Sequence, residues 1–105
     1  MNNGHGDRER RTAVRIPLGT EAFIQPAASQ HPPRKARCVD LSVDGMTLHT
    51  VYVPRPDEIF EVIVRPHEGP LAGPPMHVRA QVKRCHPVNG SAVYEVGVKI
   101  VEVLK

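Results

Sequence analysis

Eleven prolines and eight glycines are spread along a chain of 105 residues. Proline removes a backbone donor and glycine weakens a helix, so few stretches can form a long helix or a coiled coil. Between these residues the apolar side chains follow a period of two, which is typical of half-buried strands. In the clearest run, residues 77–85, apolar residues alternate with polar ones: Val78, Ala80 and Val82 against Arg79, Gln81 and Lys83. The pattern predicts an all-β domain.

The alternation indicates six short strands with turn signals between them. We place them at residues 20–25, 35–41, 46–51, 58–65, 77–85 and 93–103. Such a series is typical of an antiparallel barrel or sandwich. A six-stranded antiparallel barrel is favoured, because closure hides the edges of a sheet. Between the last two strands, Asn89-Gly90 suits a type I′ hairpin turn.

Composition excludes several classes of protein. Hydrophobic residues make up 40% and charged residues 24%, which is ordinary globular usage, and the length suits one domain. No apolar run approaches the roughly 20 residues of a membrane helix, and the N-terminus lacks the apolar stretch of a secretion signal. Cys38 and Cys85 are too few for a disulfide scaffold and are expected to be reduced. We therefore expect a soluble, cytoplasmic protein without membrane insertion.

Catalytic and metal-binding motifs are missing from the sequence. The histidines and cysteines are scattered, with no Cys-x-x-Cys or His-x-x-x-His pair for a metal. Ser42 lies near Asp40, but no histidine is spaced to act as its base. No phosphate-binding loop of the Gly-Lys type is present. We predict that the chain is not an enzyme and uses no cofactor.

Charge is concentrated near the N-terminus. Residues 1–40 hold seven Lys/Arg and four Asp/Glu, so the whole formal excess of +3 lies there. This asymmetry suggests an anionic partner, although a solvated tail would look the same. Binding to nucleic acid is disfavoured, because there are only two phenylalanines, two tyrosines and no tryptophan to stack bases. Three of these four rings fall in strand patterns that would place them in the core.

Two short motifs have complementary chemistry. Arg11 and Arg15 are four apart in the basic arm, and Asp40, Ser42 and Gly45 form an Asp-x-Ser-x-x-Gly pattern at a strand end. Arginine matches phosphate oxygens or the O6/N7 edge of guanine, and aspartate can accept the N–H donors of guanine. Asp40 and Ser42 are two apart and would share one face of a strand, with Gly45 allowing a sharp turn. Each motif alone is also common on solvated surfaces and in ordinary turns.

Together these motifs make the sequence resemble the PilZ domain, a bacterial receptor module for cyclic di-GMP. The resemblance covers roughly residues 8–103 and includes the closing run Tyr94-Glu95-Val96-Gly97-Val98-Lys99-Ile100, where Ile100 replaces the family's usual aromatic residue. It implies a PilZ-type barrel with the ligand held on its outer surface. It implies that Arg11 and Arg15 grip phosphate and guanine. Asp40 and Ser42 would meet a guanine edge, and Gly45 would keep the turn.

The resemblance also implies how the chain is divided and how it acts. Residues 1–7 would be a disordered tail, 8–18 a flexible ligand-clamping arm and 19–105 the barrel. Arg10, directly before the motif, implies binding of an intercalated cyclic di-GMP dimer. With no room for a second domain, the signal would pass by contact with an unidentified effector protein. The alternative is a PilZ-like adaptor that binds no nucleotide and acts through protein contacts alone.

Overall fold

The computed structural model describes residues 16–26, 32–65 and 74–104, with side chains from Gly19 onward. Its strands are β1 (Ile16–Pro26), β2 (Arg34–Leu41), β3 (Gly45–Thr50), β4 (Ile59–Val64), β5 (Met76–Pro87) and β6 (Tyr94–Leu104). All neighbours are antiparallel, and the strands close into a barrel in the order β1-β2-β3-β6-β5-β4. The predicted six-stranded antiparallel barrel is confirmed. Over the same ranges, no helix is long and apolar enough to cross a membrane.

Strand β1 begins earlier than its alternation suggested. Ile16 pairs with Leu41 and Pro17 with Asp40, so residues 16–18, which the sequence assigned to the arm, are strand. An irregularity in the pairing with β2 follows, and it contains Gly19 at a φ of 77°. A bulge of this kind interrupts the period of two and hides the start of the strand. The tail and arm residues 1–15 lie outside the described part of the chain.

The core is a cluster of side chains from all six strands. It comprises Ala22, Ile24, Cys38, Met46, Leu48, Phe60, Val62, Val64, Val78, Ala80, Val82, Val96 and Val98. Of the aromatic residues predicted to be internal, Phe60 is fully buried and Tyr94 packs against the core. Phe23 is different: it lies between the internal residues Ala22 and Ile24, and the guanidinium of Arg65 is 6.0 Å from its ring centroid. Strand alternation therefore places Phe23 on the outer face, where a cation covers it.

The β5–β6 connection is longer than the predicted two-residue turn. Val88 N–H donates to the carbonyl of Val93 at 2.9 Å, and Ser91 N–H donates to Val88 at 3.2 Å. Gly90 has a φ of 72°, whereas Asn89 has no positive φ. A type I′ turn needs a positive φ at both positions, so that prediction is wrong. A positive φ at the third residue alone is the pattern of a type II turn.

Candidate functional site

Asp40 reaches the outer face of the barrel because strand β2 carries a bulge. On β3, Leu48 is the partner of Cys38 and Thr47 is the partner of Asp40, so Val39 is an extra residue. Cys38 and Leu48 are both fully buried. Thr47 alternates with Leu48 and so lies on the outer face, although it is only 4% exposed, and residues paired across a ladder share a face. The bulge therefore turns Asp40 outward although Cys38, two residues earlier, points into the core.

Asp40 is the first residue of a row that crosses the neighbouring strands on the outer face. Thr47 pairs with Gly97 on β6, and Gly97 pairs with Arg84 on β5. A Cβ atom added to Gly97 would lie 2.5 Å from Cζ of Arg84, so the guanidinium lies directly over bare backbone. We call Asp40, Thr47, Gly97 and Arg84 the Asp40 row. Sequence reasoning missed the last three as site residues, because cross-strand register after a bulge leaves no signal along the chain.

Ser42 lies in the turn that follows β2. Its one hydroxyl hydrogen is shared between Oδ1 of Asp44, at 2.8 Å, and the carbonyl of Gly45, at 3.2 Å. Its backbone N–H donates to the same Gly45 carbonyl at 2.8 Å. Ser42 is only 7% exposed. Since β2 ends at Leu41, the alternation that we expected to align Ser42 with Asp40 does not extend to Ser42, whose hydroxyl stabilises the turn.

Gly45 is required by close packing and has no left-handed backbone conformation. Its φ is not positive. Our prediction that glycine is needed here because its backbone allows a sharp turn is therefore wrong. A Cβ atom added to it would lie 2.6 Å from the carbonyl oxygen of Val98, on the neighbouring strand β6. The adjacent N–H of Ile100 donates to the carbonyl of Asp44 at 2.9 Å. The turn is thus held against β6 at a distance that only glycine allows.

A second row of charged residues lies beside the Asp40 row. His49 Nε2 is 3.1 Å from Oε1 of Glu95, and His86 Nε2 is 3.4 Å from Oε2 of the same carboxylate. The hydrogen bond with His49 is the main cause that lowers the pKa of Glu95. Glu95 therefore stays ionised between the two imidazoles. No group of three or more His, Cys, Asp or Glu within the described ranges is arranged to hold a metal ion.

The cysteine beneath the site is a poor nucleophile. Burial, followed by the charge of Asp40, raises the pKa of Cys38 to about 11. Its thiol donates to the carbonyl of Asp40 at 3.3 Å. Burial also raises the pKa of Cys85, and both cysteines are free. Thiolate chemistry at neutral pH is disfavoured at both positions.

The structure brings together only part of the predicted site. Asp40 lies on the outer face, and Ser42 and Gly45 form the adjoining turn. Arg10, Arg11 and Arg15 lie outside the described residues. What is described is a fixed acceptor surface with one nearby guanidinium, that of Arg84. It can accept hydrogen bonds from a planar donor edge and attract an anion, and its described groups include no nucleophile with a base.

Comparison with known proteins places this barrel in a family. The family model described as PilZ domain matches residues 9–104. The structure of the Bacillus subtilis inhibitor of motility MotI/DgrA superposes with a TM-score of 0.74 at 18% identity, over 90% of this chain and 44% of that one. The PilZ domain of YcgR from Escherichia coli, solved with c-di-GMP, gives 0.56 at 21% identity, over 88% and 78%.

These two likenesses show the fold, and the chain spans less than half of the length of MotI/DgrA. No curated protein sequence matches the chain. The family assignment therefore depends on the domain model, which covers almost every residue from the basic arm to the end of β6. The chain belongs to the PilZ domain family.

Proposed function

We propose that this PilZ domain is a receptor for cyclic di-GMP in the bacterial cytoplasm. Asp40 and the turn at Ser42–Gly45 form the fixed half of the site, and Arg10, Arg11 and Arg15 supply the other half. The observation that carries the proposal is the family match over residues 9–104. The c-di-GMP present with the YcgR domain supports the choice of ligand.

The chemistry of the Asp40 row suits a guanine edge. A carboxylate on the outer face can accept the N1–H and N2–H donors of guanine. Arginine forks from the arm would bind phosphate oxygens in bidentate fashion. Arg84 is on the same face, three strand steps from Asp40, and its guanidinium lies over Gly97, which has no side chain to displace it. In this hypothesis Asp40 selects guanine, and the arginines supply most of the electrostatic attraction for the phosphates.

Ser42 and Gly45 have a supporting role in this proposal. The hydroxyl hydrogen of Ser42 is used inside the turn, so towards the ligand the oxygen can only accept. Gly45 keeps the turn against β6. Together they fix the backbone that follows Asp40, which sets the position of its carboxylate. Loss of either group is expected to act through the turn.

The output of such a receptor would be contact with an effector protein. One structural neighbour is named as an inhibitor of motility. The internal use of the Ser42 hydroxyl also favours the second candidate function, an adaptor that binds no nucleotide. Both candidates share the fold and differ in whether the Asp40 row binds a ligand.

Titration calorimetry with cyclic di-GMP at near-physiological salt tests the receptor. We expect saturable binding that Asp40→Ala and Arg15→Ala each weaken by about 10- to 150-fold, the value of a charge-assisted contact of roughly 1.5–3 kcal/mol. Two ligands per chain would support the intercalated dimer and the part assigned to Arg10. Asp57→Ala and Arg55→Ala are matched controls at exposed positions on the β3–β4 connection and should leave affinity unchanged.

Two results would overturn the receptor proposal. One is the absence of both binding heat and chemical-shift changes, which would leave the adaptor function. The other is equal weakening by Arg15→Ala and Arg55→Ala together with a steep dependence on salt, which would indicate a diffuse polyanion-binding surface.

A further inference from the structure

An open groove lies at the far end of β3 from the Ser42–Gly45 turn. Its volume is about 450 Å³, within the range of about 300–1,000 Å³ that is typical of binding clefts. One wall is the β3–β4 connection and the other is the bulged part of β5. The lining residues used below are Val53, Pro54, Pro56, Lys83, Arg84 and Tyr94. The groove begins beyond Thr50, which lies five residues along β3 from Gly45, roughly 17 Å at the rise of a strand.

The wall formed by residues 51–58 is held by several contacts. Tyr52 donates its hydroxyl hydrogen to Oε2 of Glu58 at 2.6 Å, and Arg55 N–H donates to Oε1 of Glu58 at 2.8 Å. The Tyr52 ring packs edge-on against Phe60, with centroids 6.4 Å apart. Asp57 has a φ of 62°, which is rare for a residue with a side chain. A wall fixed in this way loses little entropy when something binds to it.

The other wall is a sheet edge. In the described part of the chain, β4 pairs with β5 from Val64↔Met76 to Ile59↔Gln81, whereas β5 continues to Pro87. The N–H of Val82 still donates to the Glu58 carbonyl at 2.9 Å. Beyond Val82 that side of β5 has no strand beside it within the described ranges. An open strand edge can pair with an extended segment of another chain. The bulge at Lys83 and the proline at position 87 would limit this pairing to a few residues.

The exposed groups of the groove are mainly apolar and cationic, with one carboxylate, that of Asp57, on the wall opposite Lys83 and Arg84. Val53 is 55% exposed and lies beside Pro54, Pro56 and Tyr94. Within the described ranges, the side chain of Lys83 forms no ion pair or hydrogen bond, and Arg84 forms no ion pair within 4 Å. Arg84 interacts electrostatically with Glu95, so Lys83 is the cation with the most freedom to pair with a new carboxylate. An apolar floor beside these two cations is complementary to an apolar side chain flanked by carboxylates.

From these observations we propose that the groove docks a short, extended, acidic segment of a partner protein. An apolar side chain of that segment lies against Val53 and Tyr94, and its carboxylates face Lys83 and Arg84. The backbone of the segment runs along the open edge of β5. The inference goes beyond nucleotide binding. Of the described residues that we propose to face the nucleotide, only Arg84 also lines the groove, so the tests below change Lys83 and Val53 instead.

The probe is the blocked pentapeptide acetyl-Asp-Glu-Leu-Glu-Asp-amide, titrated into the isotope-labelled full chain and followed by amide chemical shifts. We expect saturable shifts confined to residues 53–58, 82–86 and 94. Lys83→Glu and Val53→Asp should each weaken binding by about three- to tenfold, the scale of an exposed charge pair or a small apolar contact. Lys35→Glu and Val101→Asp are matched controls at exposed positions outside the groove and should bind as the native chain does.

Two further peptides test the specificity. Replacing the acidic residues with lysine should abolish the shifts, and replacing leucine with glycine should weaken them at least threefold. Equal binding of the acidic and basic peptides, or of the leucine and glycine peptides, would overturn the proposal. So would shifts that map outside the groove, or their absence at millimolar peptide. Titration without cyclic di-GMP separates this result from the receptor proposal.

Discussion

The two ends of strand β3 are connected in different ways. At the site end, three residues link β2 to β3, and the turn is held by hydrogen bonds of Ser42 and by the approach of Gly45 to Val98. At the groove end, residues 51–58 lead to β4 and are held by side chains, chiefly Tyr52 and Glu58. Each end also has a weak acid next to a carboxylate: Cys38 beside Asp40, and Tyr52 beside Glu58.

This difference shows how the two ends can respond to change. The site end depends on backbone geometry, so any added atom at Gly45 displaces strand β6. The groove end depends on a few side-chain contacts that can be removed singly while the backbone keeps its path. A position that must carry an outward carboxylate is best fixed by backbone, whereas a docking wall tolerates variation in the side chains that support it.

The largest expected effect is that of Gly45→Ala. The new Cβ would meet the Val98 carbonyl at 2.6 Å, and the resulting shift should lower the free energy of unfolding by about 2–3 kcal/mol. Gly90→Ala is the matched control: its site has a φ of 72° but nothing within 4 Å, so about 1 kcal/mol is expected. Urea denaturation measures both. Equal losses would mean that close packing of the site-end turn is not what requires glycine.

Next in size is Tyr52→Phe at the groove end. The substitution removes a 2.6 Å hydrogen bond to Glu58 and should lower the free energy of unfolding by about 1.5 kcal/mol. Tyr94→Phe keeps the ring and removes a hydroxyl that forms no hydrogen bond with the described residues, so its effect should stay within about 0.5 kcal/mol. If the two variants had the same stability, the wall would not depend on the Tyr52–Glu58 contact.

Two buried threonines should respond with opposite signs. Thr50 donates to the Lys35 carbonyl at 2.9 Å and accepts from Tyr52 N–H at 3.1 Å, so Thr50→Val should destabilise by about 1 kcal/mol. The hydroxyl of Thr20 is buried without a hydrogen-bond partner among the residues that the structure describes. Thr20→Val should therefore stabilise by somewhat less than 1 kcal/mol, as the hydroxyl's desolvation is relieved. Thermal melts of both variants test this prediction. A lower melting temperature for Thr20→Val would contradict it, because the Thr20 hydroxyl would then make a favourable contact in the folded protein.

Most of the barrel could be predicted from the sequence, because strand alternation depends only on local periodicity. β2 and the later strands lie within a residue or two of their predicted positions. The early start of β1 was missed because the bulge at Gly19 interrupts that period. The outer position of Phe23 follows from its neighbours, since Ala22 and Ile24 already face inward.

Less of the candidate site could be predicted from the sequence. Its motif residues could be named from spacing, but the outward turn of Asp40 depends on the bulge at Val39, which is settled by pairing with β3. Arg84 and Gly97 join the same face only through register across β5 and β6. The requirement for Gly45 comes from Val98, more than fifty residues away. Such long-range contacts have no local pattern, so the sequence named the motif without its geometry.

The smallest expected effect is a fall in the melting temperature that is absent at neutral pH and appears only at alkaline pH. The pKa of Cys38 is raised from 9.0 to about 11, and that of Tyr52 from 10.0 to about 12, in each case chiefly by burial. Both shifts favour the neutral acid in the folded state, so their contribution is complete below the unfolded pKa and declines as pH rises through the folded pKa. The melting temperature should therefore fall first between about pH 9 and 11 and again between about pH 10 and 12. Cys38→Ala should reduce the earlier decline, to which Cys85 also contributes, and Tyr52→Phe should remove the later one, whatever their melting temperatures at pH 8. Because Tyr94→Phe should keep both declines, a profile that none of the three variants changes would show that neither buried acid couples folding to pH.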